Sequence, residues 1–311
     1  MNLKLLILLG IVTFMVVASS CNLDSKDLDS VPKPSSVEKH YSGFLLATDF
    51  VIGANRFPFA LLSMDGKPLK GFKIKARFYS VNNGDLQFTQ EAIAEYLTLT
   101  HSDMHQHLDG SMHLHENDRG FYVIDSIYFD QPGISVAEFT LADDAQSPIS
   151  IQSLAFEVSS NSKAPRPGDH IPPWTASNQD TLNKATENLS VEPSLSNVTL
   201  EKAVNSAKPM VIAFSSPMFC TSQMCGPVTN IVSTISQKYD NELNFIHIEP
   251  YDLEIAQKEG RLVPTGIFSQ WELPSEPWVF VINSGNRITD RYEGLFTEKE
   301  LESSILNLLD S

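Results

Sequence analysis

The sequence predicts a multidomain protein with an N-terminal all-β domain and a C-terminal α/β domain. Three observations carry this prediction. Short runs of β-branched and aromatic residues, separated by turn residues, fill the stretch 39–158. A segment rich in proline and serine follows at 159–198 and is typical of a linker. From 199 to 311, helical and strand patterns alternate, as expected for a mixed α/β domain.

The N-terminus carries the pattern of an export signal. Lys4 gives a basic start, and thirteen apolar or small residues follow at 5–17. This run is shorter than the ~20 apolar residues that a membrane-spanning helix needs. Cys21 directly follows small residues and resembles the lipidated cysteine of bacterial lipoproteins, which implies a signal peptide at 1–20 and lipid on the sulfur. A plain secretory signal with a chance cysteine is the alternative.

Lipidation of Cys21 would define where the protein works. We expect a cell-membrane-anchored protein outside the cytoplasm, with the polar segment 21–38 as a tether. Acidic residues number 38 against 22 basic ones, for a net charge of −16. Because phosphate backbones are bound by clustered Lys and Arg, we expect no nucleic acid partner.

Alternation of apolar and polar residues supports the N-terminal β domain. In 72–79, apolar side chains alternate with Lys, Arg and Tyr, which places one face on a core and the other in water. Turn signals such as Met64–Lys67 and Asn82–Gly84 separate about seven strands. This number and spacing predict an immunoglobulin-like sandwich for 39–158.

The C-terminal part combines buried strands with amphipathic helices. Thr297 with Glu300 three residues later predicts a capping box at the start of the closing helix. The segment 226–239 has apolar residues at helical spacing and predicts a second helix. Strands are predicted at 208–216, 243–249, 277–282 and 287–294.

Cys220 and Cys225 lie in the stretch "FCTSQMCGP" and are separated by four residues. In a continuous helix, residues five apart are rotated by roughly 140° and rise about 7.5 Å. A disulfide needs facing side chains with Cα atoms within about 6.8 Å, so the helix must begin inside the spacer. Cys220 then lies in the loop, where free helix N–H groups lower its pKa.

This geometry makes Cys220 the attacking thiol and Cys225 the resolving thiol of a redox pair. An inert structural disulfide and a pair of metal ligands remain alternatives at this point.

Four stretches carry a resemblance to a known group of proteins. They are "SSPMFCTSQMCGPV", "FIHIEPYD", "WELPSEPWVFVINSGNRITDRYEG" and "ANRFPFALLSMDGKPLKG". They resemble exported bacterial thioredoxin-like lipoproteins, in which a β-sandwich precedes a Cys-x4-Cys-Gly-Pro thioredoxin domain. The resemblance implies a thioredoxin-like fold for 199–311 and a cis bond before Pro277, with this proline facing the cysteines. The strand around Val211–Phe214 departs from thioredoxin, since it carries no acid where thioredoxin keeps a buried aspartate that helps to move protons.

Five of the eight histidines fall within fifteen residues of the N-terminal part. Two histidine pairs with period-2 spacing flank the turn residues Asp109 and Gly110, so a hairpin would bring them together. Imidazoles in such an arrangement suit Cu or Zn. A solvated hairpin without metal is the alternative. The histidines are His101, His105, His107, His113 and His115.

These features favour a membrane-tethered, extracytoplasmic thiol–disulfide oxidoreductase that acts on thiols or disulfides of exported proteins. Such chemistry requires no cofactor. Two other functions remain in view. One is a Cu- or Zn-binding protein or metallochaperone that uses the histidine cluster, and the other is a redox-silent adaptor that only binds partners.

Overall fold

The structure is a computed structural model, and it describes the greater part of the chain after the predicted tether. The predicted signal peptide, Cys21 and the tether to residue 38 lie outside this part, as do His101 and His107. The described residues belong to one compact unit. None of their helices has the length and apolar character needed to cross a bilayer. They are 39–99, 102–106, 112–116, 119–143, 149–173, 195, 198–220, 222 and 224–310.

Ten strands form the N-terminal part of the described structure. Eight of them make one mixed sheet in the order β10-β8-β3-β4-β7-β2-β1-β9, and β5 and β6 form a separate two-stranded sheet. The β1–β9 pair is parallel, and all other neighbours in the eight-stranded sheet are antiparallel. The strands are β1 Lys39–Leu45, β2 Gly53–Ser63, β3 Ile74–Asn82, β4 Asp85–Leu99, β5 Ser102–Gln106, β6 Met112–Glu116, β7 Arg119–Phe129, β8 Gly133–Leu141, β9 Ile149–Ile151 and β10 Leu154–Val158.

The predicted immunoglobulin-like sandwich is wrong because one long strand joins what would be two facing sheets. The first part of β4 pairs with β3 up to Ala94, and its last five residues, from Glu95, pair with β7. The resulting single sheet curls until β1 approaches β10. A side-chain carbon on Gly43 of β1 would lie 2.9 Å from Cγ of Leu154 on β10. Alternation identified the strands, but it does not reveal that one strand continues through both halves.

Aromatic side chains fill the inside of this curl. Phe57 and Phe78 are completely buried and meet edge to face, with ring centroids 5.1 Å apart. Phe59 stacks on Tyr122 at 5.4 Å. Such pairs stabilise by about 0.5–1.5 kcal/mol each beyond the burial of their surface.

The C-terminal part contains a four-stranded sheet in the order β12-β11-β13-β14. The β11–β12 pair is parallel, while β13 is antiparallel to both β11 and β14. The predicted capping box at Thr297 and Glu300 is confirmed. The elements are α1 Leu200–Val204, β11 Met210–Phe214, α2 Cys225–Tyr239, β12 Asn244–Ile248, α3 Leu253–Glu259, α4 Gly266–Gln270, β13 Trp278–Ile282, β14 Ile288–Glu293 and α5 Glu298–Leu309.

The predicted C-terminal α/β thioredoxin-like fold is also wrong. The structure is mostly β, with a large curled sheet and a small one, and it is not a clear α/β thioredoxin fold. The two helices that the sequence predicts at 226–239 and after Thr297 both form, as α2 and α5. The error concerns the fold class, because local periodicity does not reveal how much of the structure is one large curled sheet.

Charged side chains connect the two sheets. Arg291 of β14 lies 3.0 Å from Asp49, which follows β1, and both side chains are largely buried. Arg56 of β2 pairs with Glu300 of α5 at 2.9 Å. Glu293 accepts hydrogen bonds from the Thr48 hydroxyl and the Asp49 N–H. These contacts fix the small sheet, and the site that it carries, against the curled one.

The described part of the predicted linker runs along β14. The N–H of Gly168 donates to the carbonyl of Ile288 at 2.8 Å, and the N–H of Ile171 donates to that of Asn286 at 3.1 Å. Ala164 is buried. This proline-rich segment is therefore held by backbone hydrogen bonds to the small sheet.

Candidate thiol site

The two cysteines lie where a loop after β11 enters helix α2. The helix begins at Cys225, and Cys220 lies in the preceding loop, so the predicted late helix start is confirmed. Both residues are free thiols, with Cys225 fully buried and Cys220 partly exposed. The backbone N–H of Cys225 donates to Sγ of Cys220 at 3.2 Å. The first N–H of the helix thus points at the exposed sulfur.

Hydrogen bonds shift the pKa values of the two thiols in opposite directions. Donation by the Cys225 thiol is the main cause that lowers the pKa of Cys220 to about 5. The Ser222 hydroxyl, 3.4 Å from the same sulfur, and the backbone N–H of Cys225 act in the same direction, while burial opposes them. The same thiol–thiol hydrogen bond, followed by burial, raises the pKa of Cys225 far above its usual range. At neutral pH the site holds a thiolate at Cys220 and a thiol at Cys225.

Pro277 lies beside the cysteine loop. The Glu276–Pro277 peptide bond is cis, which confirms the sequence prediction, and Pro277 is buried. The Ser222 hydroxyl donates to the Glu276 carbonyl at 3.3 Å. The loop that holds Cys220 is therefore tied to the residue that precedes this proline.

A buried carboxyl group lies next to both sulfurs. A carboxylate oxygen of Glu276 and Sγ of Cys220 and Cys225 all lie within 4.8 Å of one another. Glu276 is only 5% exposed, and the Tyr251 hydroxyl donates to its Oε2 at 2.5 Å. Closeness of this kind is not by itself evidence for a metal ion.

Glu249 is a second buried acid in the same region. It directly follows β12 and is completely buried. Its Oε1 accepts from the N–H of Tyr251 at 3.4 Å, whereas Oε2 has no hydrogen-bond partner within the described part of the chain. Burial is the main cause that raises the pKa of Glu249 to about 7, opposed in part by a hydrogen bond from Ser216. The nearby charges of Glu276 and Cys220 raise it further.

His247 packs behind this region as a neutral side chain. It is 4% exposed, and its Nε2 lies 2.8 Å from the Ser215 carbonyl oxygen and 3.0 Å from the Ser215 hydroxyl. Burial lowers the pKa of His247 to about 4. Ser215 also meets Thr229 of α2 at 2.7 Å, so this histidine ties β12 to the start of the cysteine loop and its helix.

Sequence reasoning missed Glu249, Tyr251 and Glu276 as members of the site. It noted correctly that strand β11 carries no acid, but the carboxyl groups come from the end of β12 and from the loop before β13. Two signals were available in the sequence. Glu249 is a lone acid at the end of an apolar run, and Glu276 stands directly before Pro277.

The described parts of the histidine-rich segment are two short strands, at 102–106 and 112–116. Strands β5 and β6 pair antiparallel, with His105 opposite His113 and Asp103 opposite His115. His101 and His107 lie outside the described residues, and metal binding by this cluster stays a prediction.

No protein-family model matches this chain, and no curated protein matches it either.

Proposed function

We propose that this protein is a membrane-tethered, extracytoplasmic thiol–disulfide oxidoreductase that acts on thiols or disulfides of exported proteins. The observation that supports this most is the hydrogen-bonded cysteine pair at the start of α2. Cys220 is a partly exposed thiolate, and Cys225 is a buried thiol that donates to it. Disulfide exchange needs an accessible thiolate to attack and a second thiol close enough to resolve the product.

The proposed reaction proceeds in two displacements. The Cys220 thiolate attacks one sulfur of a substrate disulfide, which forms a mixed disulfide and releases the other substrate sulfur as a thiolate. Cys225 then attacks Cys220, which closes the Cys220–Cys225 bond and releases the second substrate thiolate. The substrate gains two electrons, and the protein loses two electrons and the one proton that Cys225 held. The second proton that the two released substrate thiolates need at neutral pH comes from solvent. The reverse sequence oxidises a substrate dithiol.

The compartment supports this chemistry. Disulfides form and persist outside the cytoplasm, which is where the export signal would direct the chain. Lipidation of Cys21 would leave Cys220 and Cys225 as the only free thiols. A Cys21→Ser variant should move from the membrane fraction to the soluble fraction, and unchanged sedimentation with membranes would contradict the lipid anchor.

The central experiment is a redox titration of the full chain in mild detergent against glutathione or dithiothreitol buffers. We expect a single two-electron couple with a reduction potential above about −300 mV, because the reduction potentials of structural disulfides typically lie below that value. Cys220→Ser and Cys225→Ser should each abolish it. A potential below this bound would instead indicate a structural staple, and the chain would be left with a redox-silent binding role.

Metal binding by the histidine hairpin is a second candidate function. The observation that favours it is the register, which places His105 opposite His113. We expect the purified chain to take up Cu or Zn and a quadruple variant to lose this uptake. Unchanged uptake by the variant would exclude the hairpin as the site. The four substitutions are His105→Ala, His107→Ala, His113→Ala and His115→Ala.

A further inference from the structure

The resolving step raises a problem of proton transfer. Cys225 must become a thiolate before it attacks, yet it is completely buried and its pKa is strongly raised. In the reduced protein its proton is shared with the Cys220 thiolate. Once Cys220 is bound in a mixed disulfide, that sulfur carries no charge and is a poor proton acceptor. Another group therefore has to take the proton.

The group within reach is the carboxylate of Glu276. One of its oxygens lies within 4.8 Å of Sγ of Cys225. A general base acts either in direct hydrogen-bond reach of the proton that it takes or through one water molecule, and a separation of at most 4.8 Å is short enough for the second route. The Tyr251 hydroxyl donates to Oε2 at 2.5 Å and holds the carboxylate in place.

The other titratable groups that interact with this cluster are less suited to the task. Glu249 does not belong to the group of atoms around the two sulfurs that lie within 4.8 Å of one another, whereas Glu276 does. Burial and the hydrogen bond to Glu276 raise the pKa of Tyr251, which remains a neutral donor. Cys220 is consumed in the mixed disulfide. Glu276 remains as the acceptor.

We infer that Glu276 accepts the proton of Cys225 while Cys225 resolves the mixed disulfide. The S–H bond of Cys225 breaks, and its proton passes to the carboxylate. The Cys225 sulfur then bonds to Cys220, and the bond between Cys220 and the substrate sulfur breaks. The electron pair leaves on the substrate sulfur, which takes up a proton from Glu276. This inference rests on the proposed function and assigns a further catalytic residue to it.

An aromatic disulfide probe separates the two steps. The reduced full chain is mixed in a stopped-flow instrument with 5,5′-dithiobis(2-nitrobenzoate), and the coloured thiolate that it releases is followed. Attack by Cys220 releases one equivalent, and resolution by Cys225 releases a second. A Cys225→Ser variant defines the amplitude of the first release alone.

Glu276→Gln should leave the first release unchanged and slow the second at pH 7. We expect a loss on the order of 100-fold, since general base catalysis typically contributes 10²–10⁴-fold. The difference should shrink as pH rises, because hydroxide replaces the carboxylate as acceptor. Glu276→Asp should recover part of the rate. An intact first release shows that each variant is folded.

The matched control is Glu272→Gln, because Glu272 is exposed and, like Glu276, precedes β13. This variant should leave both releases unchanged. A second release in Glu276→Gln at the wild-type rate overturns the inference, and so does a slow second release in Glu249→Gln with a normal one in Glu276→Gln. A wild-type protein that gives no second release overturns the proposed function itself. The two failures are thus distinguishable.

Discussion

The buried carboxyl group of Glu249 should make the free energy of unfolding depend on pH. Its carboxyl is completely buried with one oxygen unpartnered, and its pKa is raised from an ordinary 4.5 to about 7. Between these values the unfolded chain releases the proton while the folded chain keeps it. The folded state then binds more protons, so the free energy of unfolding falls as pH rises. This penalty is absent below pH 4.5 and complete above pH 7.

The magnitude follows from the shift. The difference between about 7 and 4.5 is about 2.5 units, and each unit corresponds to about 1.36 kcal/mol, which gives about 3 kcal/mol. Glu249→Gln removes the titration, although it adds a pH-independent cost of its own. The difference in the free energy of unfolding, variant minus wild type, should therefore rise by about 3 kcal/mol from pH 4.5 to pH 7.5.

Urea unfolding of the protein, kept reduced with a phosphine, measures this difference across the pH range. Because only the change with pH is used, the fixed cost of burying the Gln amide cancels. Glu272→Gln, the same substitution on an exposed residue, is the control for the loss of one carboxyl. A difference for Glu249→Gln that stays flat with pH would show that the Glu249 carboxyl titrates alike in the folded and unfolded chain, and the reasoning would be refuted.

Three further predictions follow from the same structure. Alkylation of Cys220 by iodoacetamide should show a midpoint near pH 5, and a midpoint near 8.5, as in a free thiol, would contradict the thiolate assignment. Arg291→Met should destabilise the protein by about 3–5 kcal/mol in urea unfolding, because it removes the cation beside the buried Asp49 carboxylate, which is then left with the hydrogen bonds from the Ser162 hydroxyl and the Lys163 N–H. Gly294→Ala should destabilise by more than about 2 kcal/mol, since a Cβ there collides with the Leu46 carbonyl at a positive φ of 71°, whereas Gly226→Ala meets open space and should change stability by less than about 1 kcal/mol.

The sequence predicted the local features of this fold well because they depend on neighbouring residues. The capping box at Thr297 and the helix start at Cys225 both follow from chemistry within a few positions. The pairing of strands does not. Whether β4 stops after pairing with β3 or continues to pair with β7 depends on residues far away in the chain, and alternation is the same in both cases. That is why a sandwich was expected where one curled sheet forms.

In the candidate site, too, the features that depend on neighbouring residues were predictable and those that depend on distant residues were not. Helix geometry alone was enough to separate the roles expected of Cys220 and Cys225. The carboxyl groups were not found, because Glu249 follows β12 and Glu276 precedes β13, two strand ends that are far apart in the sequence. Nothing in either local pattern shows that these ends converge on the same helix start. An acid that closes or precedes a buried strand is nevertheless a signal worth testing, because burial of a carboxyl is costly without a partner or a function.

The protonation states of Cys220 and Cys225 determine how the reduction potential of the pair changes with pH. In the reduced protein above pH 5, Cys220 carries no proton and Cys225 carries one, while the disulfide carries none. Reduction then takes up one proton for two electrons, and the potential should change by about 30 mV per pH unit, the value for a tenfold change in a two-electron equilibrium. Below pH 5, Cys220 also binds a proton, and the slope should double to about 59 mV. Measuring this in Glu249→Gln removes the titration of the neighbouring acid. A slope near 59 mV maintained from pH 6 to pH 8 would mean that both cysteines are protonated in the reduced state, and the division of roles between them would have to be abandoned.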